Sequence, residues 1–453
     1  MATPLEHAVA RATDTRAIAI GEGALDRVGP IVSDLLPGRA AIVVADGTTW
    51  AAAGEATTAS LRASGVALAE PLVLPAAPPP YASWDTVEHV REGLRAVDAV
   101  AVVVGAGTLG DVVKLASHEL GRPYACVATA PSMDGYAAFG ASIVRDGYKQ
   151  TIACPAPIAV VADLDVLAAA PARMLASGVG DLVEKLPGGA DWILADAVGV
   201  EPIDADVWAL VQDPLRGALA DPHGMRAGDP AAIAGLVEGL VASGLAMQAY
   251  ASSRPASGAG HQCSHLWEME GLGMHDDPPL PHGLKVGLGT VMLTALYEEA
   301  LRHDLARLDV DAALGAFPSW PEVEARILAE GFSPALLTAA LEQSRAKHPA
   351  PDVLRHRLET LRDGWPDVAE LLRAQLLPAS DVERLLDAVG AVTHPAQIGL
   401  DPQRFRATYV RAMRIRSRWT LLDALHEAGL LERCVDALFA PDGFWGRRPH
   451  PSR

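Results

Sequence analysis

From Ala17 to about Ala162 the chain alternates short β-rich apolar runs with amphipathic helical stretches, and this alternation limits the possible folds more than any other feature. Ala17–Ile20, Ala40–Ala45, Val97–Val104, Tyr124–Ala128 and Ile158–Ala162 read as strands, while Leu25–Leu36, Glu55–Ser64, Trp84–Arg95 and Asp111–Leu120 read as helices. Strands separated by helices predict a parallel sheet covered on both faces. The Pro-rich stretch Leu74–Ala82 reads as a stiff loop inside this domain. Beyond residue 170 the periodicity is helical almost throughout, with breaks at Pro214, Pro255, Asp277–Pro281, Pro318–Pro321 and Pro378. At 453 residues the chain exceeds what one core usually fills. The expected architecture is an α/β domain over 1–168 followed by an all-helical domain over 169–453, with 442–453 frayed.

Composition narrows the function. A net charge of −19 repels a polyphosphate backbone, so nucleic acid is a poor partner. The most continuous apolar run, Ala99–Gly107, is too short for a bilayer, and no signal-peptide pattern opens the sequence. Four scattered cysteines without a CxxC pair fit free thiols in a reducing compartment, which predicts a cytoplasmic protein.

Two stretches of the first half could meet a ligand. In VVVGAGTLGD, Gly105, Gly107 and Gly110 satisfy GxGxxG between a strand and a helix, which would place phosphate on backbone N–H groups; a tight strand-to-helix turn has the same pattern. Asp46, ending an earlier strand, could accept from a ribose hydroxyl, which leans toward NAD. In VATAPSMDGYA, Thr129 and Ser132 can donate to a phosphate or an amide and Asp134 can accept from a hydroxyl, though each residue type is also ordinary in a turn. Asp181 follows Gly178 and Gly180 and reads as a helix cap.

The second half carries the sharpest cluster. His261, His265, His275 and His282 fall within 22 residues of a chain with 14 histidines. His261 and His265 stand one helical turn apart on one face, and His282 opens the next helix after a Pro-rich loop. Neutral imidazoles on two helix ends could hold a borderline divalent cation if a carboxylate completes the set; a solvated helix and loop is the alternative. The basic run Arg404–Arg418 could form an exposed helix face, interdomain ion pairs or a phosphate clamp.

Taken in order, GxGTxxD, TAPSMDGY, GDLxxK, SGxxHxxSH and HGxKVGxG resemble the sn-glycerol-1-phosphate dehydrogenase family, within the group of iron-containing alcohol dehydrogenases, glycerol dehydrogenase and 3-dehydroquinate synthase. The similarity runs from about residue 17 to 436. TAPSMDGY is the element that separates this family from plain glycerol dehydrogenases. The resemblance implies a Rossmann-like sheet, a helical second domain and an active site in the cleft between them. It places Gly107, Thr108, Leu109, Gly110 and Asp111, with Thr129, Ala130, Pro131 and Ser132, along the dinucleotide, and Asp46 near its adenosine end. By the same resemblance, Asp134 and His265 contact substrate, and Asp181, His261 and His282 hold the metal. His275 has no counterpart.

The implied reaction is reversible NAD- or NADP-dependent reduction of dihydroxyacetone phosphate to sn-glycerol 1-phosphate, assisted by one divalent metal: zinc first, nickel or iron as alternatives. The partner expected is a small phosphorylated triose or glycerol, with no membrane span and homo-oligomerisation left open. Four positions depart from the family. Ala138 stands where a serine would touch the cofactor, Ala106 replaces a glycine of GGGT, Glu184 replaces a glycine of GDLxGK, and Gly260 replaces a glutamate before the first metal histidine. These keep a dehydrogenase of another polyol or alcohol, such as glycerol, as a second reading. A lyase resembling 3-dehydroquinate synthase stands third, and a binding protein that keeps only the fold stands last.

Overall fold

The computed structural model describes residues 4–145, 148–274 and 276–448. Its strands are β1 (Ala17–Gly21), β2 (Ala40–Asp46), β3 (Leu72–Leu74), β4 (Ala99–Gly105), β5 (Tyr124–Ala128), β6 (Ala141–Arg145), β7 (Tyr148–Ile152) and β8 (Ala159–Asp163). Six form one sheet in the order β1-β8-β5-β4-β2-β3, with every neighbouring pair parallel. β6 and β7 pair with each other, antiparallel. Every residue of β4, β5 and β8 is buried, which is why these strands read as unbroken apolar runs and not as alternating ones. β3 and the β6–β7 pair carry no such run and were not expected from the sequence.

The strand order reverses at one place. From β2 the chain moves outward to β3, and from β4 it moves the other way through β5 to β8. The carboxyl ends of β2 and β4, which are hydrogen-bonded neighbours, therefore mark the switch point, where α/β sheets open a crevice for ligands. Asp46 ends β2, and the Gly105–Gly107 turn follows β4 into helix α1 (Gly107–Glu119).

By backbone contacts the chain divides into two compact units, Met1–Leu182 with Asp206–Ala256, and Val183–Ala205 with Ser257–Arg453. The sequence reading divides the chain once, after residue 168, whereas these contacts cross the chain three times. Helix α2 (Ala172–Val183) ends at the first crossing and helix α3 (Lys185–Ala197) begins just beyond it. Pro187 explains the break at Glu184: it has no N–H for the Val183 carbonyl and its ring crowds that oxygen.

In the sheet unit, helix α4 (Pro230–Tyr250) is by length and composition able to cross a bilayer, the only such helix among the described residues. Two-thirds of its apolar window is nonetheless buried in the protein. It lies against the 134–138 turn at Gly244, where a Cβ would come within 2.8 Å of the Asp134 carbonyl oxygen. Gln248 fastens its end, donating to Thr15 Oγ1 at 2.8 Å and to the Ala137 carbonyl.

In the helical unit, helices α5 (Ala259–Met269) and α6 (His282–Ala300) cross so closely that a Cβ on Gly289 would meet the Gly260 oxygen at 2.5 Å. The basic run resolves into ion pairs inside this unit. Arg404 and Arg411 share Glu270 at 2.8 and 2.5 Å, Arg406 meets Asp436, and Arg414 lies 3.5 Å from Glu330. Of residues 442–453, expected to fray, 449–453 lie outside the described residues and 444–448 make packing contacts instead. Trp445 is buried with its indole N–H on Tyr409 Oη at 2.8 Å, and Arg448 forks onto Glu383 at 2.6 and 2.9 Å.

Candidate active site

The sheet unit holds the expected dinucleotide elements at the switch point. α1 starts at Gly107 behind an extended Ala106 and has no side-chain cap, so its first N–H groups suit an anion. Gly105 and Gly107 have steric reasons to be glycine: a Cβ at either would press on Leu109 at 2.8 Å or Met133 at 3.1 Å. Gly110 faces open space. Leu109 is buried in the core, and Thr108 lies in the first turn of α1. Asp111 uses its carboxylate internally: Oδ2 accepts from Ser142 N at 3.1 Å and Oδ1 lies 3.4 Å from Lys114 Nζ. Lys114 in turn donates to the carbonyls of Gly135, Ala138 and Gly140, so this buried ammonium shapes the loop after Asp134. Asp46 caps the turn after β2 through Oδ1, accepting from Thr48 N at 2.8 Å and Thr49 N at 2.9 Å.

The TAPSMDGY loop is buried and tied down at each step. Thr129 N donates to the Gly105 carbonyl at 3.2 Å, joining the ends of β4 and β5. Tyr136 Oη donates to the Ala130 carbonyl and lies 3.3 Å from Ser132 Oγ; burial pushes this phenol up to about 12 and keeps it neutral. Gly178 lets α2 pass over the loop, since a Cβ there would lie 1.9 Å from the Pro131 oxygen, and Ser177 Oγ donates to the Ser132 carbonyl at 2.8 Å. Asp134, almost fully buried, has its backbone N–H on Asp181 Oδ2 at 2.9 Å and accepts from Ser243 Oγ at 2.9 Å. Ala138 is buried beside Met247 and Ala256. The structure therefore brings Asp134 and Asp181 together.

In the helical unit the imidazoles of His261, His265 and His282 converge, with ring centroids 5.6 to 5.9 Å apart. His275 lies outside the described residues. His282 Nδ1 is 2.7 Å from Glu268 Oε1, which also takes Lys285 Nζ at 3.2 Å. His261 Nδ1 is 2.8 Å from Glu184 Oε2, off the line of an ideal hydrogen bond. The carboxylate hydrogen-bonded to His282 Nδ1 leaves Nε2 as the nitrogen a metal would take, the usual arrangement around ligand histidines, and Glu184 Oε2 lies beside the matching atom of His261. Ligand atoms of His265, Glu268 and His282 also lie within 4.8 Å of one another. This donor set, imidazole with oriented carboxylates, fits one divalent cation of the zinc, iron or nickel class.

Sequence reasoning missed Ser243, Glu268, Lys285 and Asp191. Glu268 and Lys285 had a local signal, lying three residues after His265 and His282. Ser243 and Asp191 had none. Asp191 is fully buried and accepts from Ala259 N at 2.7 Å, Tyr297 Oη at 2.7 Å and Leu421 N at 2.9 Å, so it anchors the start of α5.

Comparison with known proteins finds relatives over most of the chain. Residues 19–171 match the family model described as iron-containing alcohol dehydrogenase. A glycerol-1-phosphate dehydrogenase [NAD(P)+] of Halalkalibacterium halodurans is 33% identical over 386 residues, covering 85% of this chain and 86% of that one. The chain belongs to the glycerol-1-phosphate dehydrogenase family. A second member, from Geobacillus thermodenitrificans, is 31% identical over 86% of this chain and 87% of its own. Among solved structures, a probable glycerol dehydrogenase of Sinorhizobium meliloti and the iron-containing alcohol dehydrogenase of Thermococcus thioreducens each align with 93% of this chain and 98% of theirs. Both have TM-scores of 0.59, at 18% and 15% identity, and so share the fold. As a member of this family the chain is an NAD(P)-dependent oxidoreductase with a metal requirement.

Proposed function

We propose that the chain reduces dihydroxyacetone phosphate to sn-glycerol 1-phosphate, reversibly, with NADH or NADPH. The observation that carries this reading is the TAPSMDGY loop, which holds a buried Asp134 fixed by Ser243 and Asp181. Relatives with the glycerol-1-phosphate dehydrogenase name cover most of the chain and support it.

In this reading the N-terminus of α1, the Thr129–Ser132 segment and Asp46 hold the dinucleotide. Asp181, His261 and His282 hold the metal, with Glu184 and Glu268 orienting the two imidazoles. When bound, the cofactor supplies a hydride and the cation polarises a ketone. Asp134 accepts a hydrogen bond from the substrate hydroxyl and, with His265, fixes which face of the ketone is presented. Burial of the loop keeps water from competing for Asp134. The four buried free cysteines suit a reducing compartment, and we place the protein in the cytoplasm.

The second reading, a dehydrogenase of glycerol or another unphosphorylated polyol, keeps Ala138 as its support. Glu184 no longer serves it, because its carboxylate is fully buried against Gly258 and His261. Purified protein loaded separately with zinc, nickel or iron would be assayed with NADH and NADPH on dihydroxyacetone phosphate and dihydroxyacetone, and with NAD and NADP on glycerol. Turnover of the phosphate ester is expected. Turnover of the unphosphorylated compounds alone would overturn the proposal.

A further inference from the structure

Two of the departures from the family pattern, the carboxylate at 184 and the glycine at 260, occupy one volume. Glu184 stands at the break that Pro187 makes between α2 and α3 and has no solvent exposure. Its Oε1 accepts from Gly258 N at 3.0 Å, and its Oε2 lies 2.8 Å from His261 Nδ1. A Cβ on residue 260 would lie 2.9 Å from Glu184 Cγ and 3.1 Å from Oε1. Cβ atoms on residues 188 and 258 would each meet the same carboxylate at 3.2 Å. Glycine at 188 and 260 leaves the carboxylate its space, while a Cβ on residue 258 would first meet Asp191 Oδ2 at 2.5 Å.

We propose that Glu184 is the positioning carboxylate of His261, and that glycine at residue 260 keeps open the volume this carboxylate fills. A side chain on residue 260 would enter the same volume from α5. A carboxylate on Nδ1–H fixes the tautomer and ring orientation and makes Nε2 a better donor to a cation. Glu268 does the same for His282 from within α5, at 2.7 Å. Both proposed ligand imidazoles then have a carboxylate behind them, one supplied locally and one across 77 residues of chain. The capping of α5 is a separate duty. Oε1 and Asp191 perform it on the N–H groups of Gly258 and Ala259, while Oε2 is the atom facing the imidazole.

The inference rests on His261 being a metal ligand, so the test separates the two ideas. The full chain is stripped of metal, and its zinc affinity is measured by competition with a chromophoric chelator alongside the melting temperature of the metal-free protein. Glu184→Gln keeps the side-chain volume and an oxygen for Gly258 N–H. It is expected to raise the zinc dissociation constant about 10- to 100-fold while leaving metal-free melting near that of the native chain. Native zinc affinity in this variant overturns the positioning role. Glu184→Gly and Gly260→Glu should each lose zinc affinity, and the double variant should regain most of what Glu184→Gly lost. A double variant that loses as much as the two singles together overturns the shared volume. His261→Ala is the control. If it keeps zinc, the ligand reading itself fails; if it loses zinc while Glu184→Gln does not, only the present inference falls.

Discussion

Ser243 donates its hydroxyl to Asp134 Oδ2 across 2.9 Å, joining the middle of the apolar helix α4 to the carboxylate proposed to receive the substrate. Both residues are buried, and Asp134 is held from its other side by Asp181 through the backbone N–H. A polar side chain in so apolar a helix needs a partner, and the carboxylate supplies it. The same bond leaves Asp134 little rotamer freedom, which is what a residue that orients a substrate requires.

Ser243→Ala removes that donor without adding bulk. An underbonded buried carboxylate costs about 1–3 kcal/mol, so kcat/KM for dihydroxyacetone phosphate should fall about tenfold, the equivalent of about 1.4 kcal/mol. Affinity for NADH, measured by fluorescence quenching, should stay as in the native protein. Equal loss of both would show that α4 holds the whole loop and not Asp134 in particular.

Gly178→Ala tests the close approach of α2 to the loop. With a Cβ 1.9 Å from the Pro131 oxygen, backbone must shift, and overpacking of this kind costs about 1–3 kcal/mol. The expected result is a lower melting temperature together with weakened dinucleotide binding, because Pro131 lies in the segment proposed to touch the cofactor. An unchanged melting curve would mean that the loop gives way freely.

Glu268→Gln keeps an acceptor for His282 Nδ1–H but removes the charge that also pairs with Lys285 at 3.2 Å. Metal affinity should drop about tenfold, at the lower end of what second-layer changes produce, with His282→Ala dropping further. Metal content after dialysis against a weak chelator reads this directly. Full retention by the Gln variant would remove Glu268 from the metal centre.

Glu427 gives the helical unit a pH dependence of its own. It is buried with Arg357 and Trp419, and burial pushes its carboxyl from the usual 4.5 up to about 7. Between those values the folded chain binds the extra proton, so its contribution is fully present below about pH 4.5 and is lost as pH rises through about 7. The neighbouring His426 works in the other direction: burial lowers it from 6.5 to about 3, so its contribution is present above about pH 6.5 and lost as pH falls. Between about pH 4.5 and 6.5 the two slopes oppose and offset each other, so denaturant titrations should show a nearly level profile in the native chain that Glu427→Gln turns into a rise in stability with pH. An identical profile in the variant would place the titrating group elsewhere.

The elements with regular periodicity were legible from the sequence. Five of the six sheet strands lie within two residues of where their apolar runs put them, while α1 starts at Gly107, inside the Gly-rich stretch and four residues before the expected Asp111. The histidine spacing likewise placed His261 and His265 on one helical turn and His282 at a helix start. These patterns are local, so burial on one face or both leaves its mark in neighbouring residues. β3, three residues long, is too short to show a period, and the β6–β7 pair includes polar and charged residues that no apolar run announces.

What the sequence alone determined, then, is the chemistry available: a phosphate-ready turn after a buried strand, a loop that carries Asp134, and imidazoles grouped on two helices. Only the tertiary structure decided which groups face each other. Ser243 reaches Asp134 across 109 residues, and Glu184 reaches Gly258 across 74, pairings that no local period encodes because each depends on helices folding back over one another. Glu184 shows the difference most sharply. As a letter in the sequence it is an extra negative charge beside a proposed phosphate site; folded, it is a buried acceptor whose position is set by Pro187 and by the absence of a side chain at residue 260.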